Sequence, residues 1–137
     1  MDTLKYFIAI CEETRNGYTV YPQYFVNNSH EEIESLVIVR PGAFDMIKSK
    51  EKIEDIKDDM IDGSIFIRKY LGVPAESYIL EDVYRDWDFD WENERIIWIK
   101  AQGKEEHLHF YIEKYFITNQ IEFIPVLNKN GWLCNSR

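Results

Sequence analysis

Few folds accommodate the period-two alternation that runs through the second half of this chain. From Asp86 to Glu94 every even position is acidic (Asp86, Asp88, Asp90, Glu92, Glu94), and Trp87, Phe89 and Trp91 stand between them. Further on, Leu108, Phe110 and Ile112 alternate with His107, His109, Tyr111 and Glu113. Successive side chains of a strand point to opposite faces, so both runs read as two-sided ribbons. The first is expected to carry carboxylates on one side and aromatic rings on the other.

Turn chemistry predicts which residues of these ribbons lie opposite one another. Asn16-Gly17 separates two strand-like runs, residues 5–11 and 18–26, and Asn-Gly tolerates positive φ at both positions of a two-residue hairpin loop. A loop centred there places Cys11 opposite Pro22, Ala9 opposite Tyr24 and Phe7 opposite Val26. Pro22 has no N–H to give to a ladder, so the second strand is expected to be an edge or to bulge there. A second loop, at Gln102-Gly103, separates residues 95–100 from 106–116. Two-residue loops pair odd positions with even ones, which puts Ile97 and Ile99 on a core face with Leu108, Phe110 and Ile112. If the strand runs on unbroken, Trp87, Phe89 and Trp91 join that face. The opposite face then gathers Glu92, Glu94, Ile96, Trp98, His107, His109, Tyr111 and Glu113. Residues 121–127 and another Asn-Gly, at Asn130-Gly131 before Trp132, complete an antiparallel meander.

Between these strand-rich ends the pattern turns helical. Ser29 and Glu32 fit a capping box for a short helix over 30–35, and residues 36–39 read as a buried strand stopped by Pro41-Gly42. Met46, Ile53, Ile56, Met60, Ile67 and Leu71 recur at helical spacings, predicting one helix over 44–71 or two broken at Asp62-Gly63. Gly72 suits its C-terminal cap. Val73-Pro74 suits a restart carrying Ile79, Leu80, Val83, Tyr84 and Trp87 on one face. The expected fold class is therefore α+β. A single globular domain spanning 1–137 would hold an antiparallel sheet of about five or six strands, N-terminal hairpin plus C-terminal meander, with roughly two or three helices packed on one face.

Composition supports folding without help, since 45% of the 137 residues are apolar and 15% aromatic. The 25 acids outnumber the 16 bases, for a net charge of −9, which opposes direct contact with nucleic acid or an anionic membrane and favours a basic partner. The first residues show no secretory pattern and no apolar run is long enough to cross a membrane, so a cytoplasmic location is expected. Cys11 and Cys134, too far apart in sequence for a disulfide framework, are expected to be reduced.

No phosphate-cradling glycine loop, Gly-x-Ser-x-Gly elbow or Cys-x-x-Cys pair occurs, and no cofactor is expected. The charge, by contrast, is concentrated: from Glu76 to Glu94 eight acids face one base, Arg85. A focused acidic field speeds encounter with a cationic protein, and desolvated aromatic anchors hold it. Asp86, Asp88, Asp90, Glu92, Glu94, Trp98 and Tyr111 are accordingly the expected partner-binding residues. Small acidic inhibitors of basic toxins or nucleases, bacterial immunity proteins among them, share this physical type, an analogy of charge and size only. An alternative is a metal-dependent or acid–base enzyme on the His107/His109 face, where His-x-His on a strand aims both imidazoles one way. A third is a subunit of a larger assembly, joined through an exposed strand edge.

Overall fold

Both two-residue loops form as the sequence predicts. Asn16 and Gly17 have φ of 50° and 82°, and Gln102 and Gly103 have 51° and 74°, the positive pair that closes a hairpin without splaying its strands. The computed structural model describes residues 4–61 and 65–137, so the break expected at Asp62-Gly63 lies outside them. Ala9 faces Tyr24 and Phe7 faces Val26 in the first hairpin, while Ile97 faces Leu108 in the second.

Among the described residues the strands are β1 (Tyr6–Cys11), β2 (Glu13–Arg15), β3 (Tyr18–Asn27), β4 (Ile33–Val39), β5 (Ile67–Val73), β6 (Ser77–Tyr84), β7 (Asn93–Ala101), β8 (Lys104–Ile112), β9 (Glu122–Ile124) and β10 (Lys129–Cys134). They form two antiparallel sheets instead of the one expected. A six-stranded sheet runs β2-β3-β1-β10-β9 with β6 added to β3, and a four-stranded sheet runs β5-β4-β7-β8. The main core lies between them: Tyr6, Ile8, Ile10 and Phe25 from the first meet Leu36, Ile38, Ile97, Ile99, Phe110 and Ile112 from the second. β4 is buried on both faces, which explains its unbroken apolar run. Leu36 and Ile38 enter the main core, and Val37 and Val39 enter a second cluster with Trp98, Ile47, Ile53 and Ile56. A third cluster covers the outer face of the larger sheet, where Phe7, Ala9 and Cys11 meet Ile124 and Leu127.

The helical expectations are corrected most. Where one or two helices over 44–71 were expected, the described residues form only short pieces, α1 (Phe44–Ile47), a 3-10 turn at Ile53–Asp55 and α2 (Asp58–Ile61), preceded by a 3-10 turn at Pro41–Ala43, and β5 begins at Ile67. Asp55 explains one interruption, because its Oδ2 accepts the Glu51 and Lys52 N–H groups at 3.1 and 3.0 Å and pulls the chain into a turn. Met46 and Leu71, on which the helical spacing relied, are 45% and 73% exposed. The expected helix after Pro74 is strand β6, in keeping with its β-branched and aromatic residues Tyr78, Ile79, Val83 and Tyr84. The capping box fails too: Ser29 Oγ donates to Asn27 Oδ1 at 2.7 Å and accepts the Glu31 N–H, a local turn leading into β4. These short helices cover the outer face of the smaller sheet through the second cluster.

Two further details differ. Asn130-Gly131 lies within β10 and is no turn. A Cβ on Gly131 would stand 2.4 Å from the Ile10 carbonyl oxygen, so this glycine permits close approach of β10 to β1. Pro22 pairs with Val83 inside the larger sheet, and the bulge comes one residue later, where the β3–β6 register shifts between Gln23 and Tyr24 and leaves Glu81 as the extra residue. Cys11 and Cys134 are free and buried. Among the described residues no helix is long and apolar enough to cross a membrane.

Candidate functional site

The acidic run does not make the ribbon its alternation predicts. Asp86–Asp90 is a 3-10 turn, and the strand begins only at Asn93. The carboxylates themselves bring this about. Asp88 Oδ2 accepts the Arg85 N–H at 2.8 Å and Asp86 Oδ1 accepts the Trp87 N–H at 3.0 Å, so short acidic side chains capture main-chain donors that a strand would offer to a neighbour. Among the described residues no strand extends alongside it either, since β8 ends at Ile112, opposite Asn93.

One ring of the run faces inward and two face out. Phe89 is buried, edge-on to Tyr21 and Tyr84 with ring centroids 5.4 Å from each, and its carbonyl accepts the Tyr115 N–H at 2.6 Å. Trp87 and Trp91 stand 57% and 74% exposed. Around them Asp86, Asp88, Asp90 and Glu92 are exposed, and among the described residues none of the four makes a salt bridge. Tyr18, 60% exposed at the first hairpin, completes the patch: the Arg85 guanidinium carbon lies 5.0 Å from its ring centroid and 4.7 Å from that of Trp87.

A buried polar cluster braces the base of this loop. Arg95 points into the main core and satisfies every donor it has. Its Nε donates to Glu81 Oε1 at 3.0 Å, Nη1 to Asn93 Oδ1 and the Glu94 carbonyl at 2.8 Å each, and Nη2 to Asp82 Oδ2 at 3.1 Å and Tyr84 Oη at 3.0 Å. Asn93 Nδ2 also donates to Tyr84 Oη at 3.2 Å, joining the residues on either side of the loop. Arg40 Nε shares Glu81 Oε1 at 3.1 Å, and Gln23 Nε2 donates to Glu81 Oε2 at 2.6 Å. Adjacent strand residues normally face opposite ways; the bulge at Glu81 lets Glu81 and Asp82 reach one guanidinium together. Burial holds the Tyr84 hydroxyl well above its ordinary pKa, so it stays a neutral acceptor for Arg95. Sequence reasoning passed over this cluster, although the parity that placed Ile97 and Ile99 inward also placed Arg95 there.

The remaining expected site residues are dispersed. Trp98 is 4% exposed, stacked on the His107 ring at 4.1 Å within the second cluster, and therefore cannot anchor a partner. Tyr111 is half-buried; its hydroxyl bonds to Glu92, which raises its pKa, and the Arg137 guanidinium lies 4.3 Å from its ring. Glu94 is paired with His109 at 2.7 Å, and His107 with Glu105 at 2.5 Å. The two imidazoles thus take separate carboxylates, and among the described residues no three His, Cys, Asp or Glu side chains gather as a metal-ligand set. A shallow groove of about 450 Å³ beside His107 is lined by charges of both signs, Lys52, Lys69 and Lys100 against Glu54 and Glu105.

Comparison with protein-family models, curated protein sequences and solved structures finds no match to this chain.

Proposed function

We propose that this protein binds and blocks a basic protein partner, of the kind represented by toxins and nucleases, through the end of the sandwich built on Asp86–Asp90. The observation that carries this reading is the pair Trp87 and Trp91, 57% and 74% exposed among four carboxylates that make no salt bridge among the described residues. Exposed indoles are costly to keep in water, and tryptophan is the residue type that most often supplies the holding energy of an interface. Carboxylates whose charge no salt bridge offsets steer a cationic surface in and disfavour an anionic one. The mount is firm, because Phe89 plugs the main core and Arg95 ties both ends of the loop together. A preorganised surface avoids ordering costs on binding. Blockade needs no chemistry from the binding protein, and the partner-contact set becomes Trp87, Trp91, Asp86, Asp88, Asp90 and Glu92, with Tyr111 at its margin.

The test is capture of a basic protein from extract of the source cell at low salt, with assay of the captured protein's activity in the complex. Release by high salt, loss of the partner's activity on binding, and at least about 30-fold weaker binding by W87A or W91A are expected. D90N combined with E92Q should weaken capture and flatten its salt dependence. An acidic partner, or affinity indifferent to all these substitutions, would overturn the reading.

A further inference from the structure

Arg85 is the one base within the acidic stretch, and its environment differs from that of the other arginines beside it. Arg95 satisfies all its donors, and Arg40 is tied to Glu81 through Nε and through the Glu81 carbonyl. Arg85 lies against the rings of Tyr18 and Trp87, yet its Nε is shut off from solvent with no acceptor, and its side chain makes no ion pair among the described residues. Asp86 and Asp88, beside it in sequence, each hold a main-chain N–H with one oxygen, and among the described residues neither forms an ion pair with Arg85.

We infer that the Tyr18–Trp87 pair is an arginine socket, filled in the free protein by Arg85, and that the partner is recognised by an arginine that takes this place. The inference rests on the docking reading and names the partner chemistry it uses. Two exposed rings within 5.0 Å of one guanidinium suit a planar, weakly hydrated cation, which stacks on aromatic faces; a lysine ammonium holds its water more tightly and gains less there. Arg85 gives way readily, because its seat leaves Nε unpaired whereas rotation into water would hydrate it. Its backbone stays fixed by the Asp88 carboxylate, so the exchange moves only a side chain.

The experiment is calorimetric titration of the full chain at low salt with two capped peptides of equal length and charge, five Arg-Gly repeats and five Lys-Gly repeats. R85K keeps the net charge while replacing the resident guanidinium. Relative to wild type it should bind the arginine peptide about tenfold tighter and leave the lysine peptide unchanged. R85Q, one charge more negative, should raise the arginine-to-lysine affinity ratio similarly, and Y18A should bring that ratio to about one. A ratio unchanged by R85K and R85Q, or insensitive to Y18A, would overturn the socket while leaving the docking surface standing, provided W87A/W91A weakens both peptides. Failure of both peptides to bind any variant would overturn the docking reading and the socket with it.

Discussion

Arg95 shows how much can rest on one buried side chain. Its side chain is 2% exposed and its charge is neutralised by Glu81 and Asp82, with Arg40 balancing the second acid. Such a cluster is a weak source of net stability, since desolvating four charges offsets most of their attraction, but breaking it strands uncompensated charge in the core. R95M should lower unfolding free energy by about 3–5 kcal/mol in urea denaturation. Y84F, which removes an acceptor shared by Arg95 Nη2 and Asn93 Nδ2, should cost about 1–3 kcal/mol by leaving one of these donors unpaired. If R95M proved as stable as wild type, the cluster would not hold the two sheets together. The arginine was legible as an odd-numbered position on an inward face; its partners were not, because Glu81 lies in another sheet and faces inward only through a bulge.

At the level of strands and turns, local chemistry was most readable. Positive φ at Asn16-Gly17 and Gln102-Gly103 closes two hairpins and carries their register the full length of β1–β3 and β7–β8. The same dipeptide at Asn130-Gly131 serves a different purpose, and only the neighbouring strand reveals it. G131A should destabilise the fold by about 1–3 kcal/mol through collision of its Cβ with the Ile10 carbonyl, measurable as a fall in urea midpoint. A second tie joins β2 to β10. Lys129 Nζ donates to Glu13, and this bond is the main reason that the Glu13 carboxyl titrates below its ordinary value. A folded pKa below the unfolded one means stability that is present above about 4.5 and lost as pH falls through the folded value. E13Q should therefore lower Tm at neutral pH and flatten its decline below pH 4.5, checked by thermal melts from pH 7 to 3. Equal slopes for the two proteins would show that this pair plays no part in acid unfolding.

Two packed sheets bring together what the chain keeps far apart. Tyr18 of the first hairpin meets Arg85 and Trp87, and Arg40 meets Glu81 and Arg95. The acidic end is thus part of the core's architecture, with Phe89 as the connection. F89A should lower stability by about 3–5 kcal/mol and, at temperatures where the protein is still folded, increase acrylamide quenching of tryptophan fluorescence as the loop loosens. Unaltered quenching would mean that the loop is held without its plug. Of the expected partner-binding residues, the acids from Asp86 to Glu92 do share an end of the molecule, and Trp98 is lost to a second core that no local pattern announced.

Period-two alternation, turn dipeptides and net charge act over a few residues, and from them followed the two hairpins, the inward set Ile97, Ile99, Leu108, Phe110 and Ile112, and the acidic character of one stretch. Whether 44–84 would coil or extend, and whether 86–92 would join a sheet, depended on partners distant in sequence. A helix satisfies its hydrogen bonds internally, but a strand exists only beside another strand. β4 and β3 were there to receive β5 and β6, while no strand among the described residues lay opposite Asp86–Glu92, so its carboxylates folded back on their own main chain and turned two indoles to water.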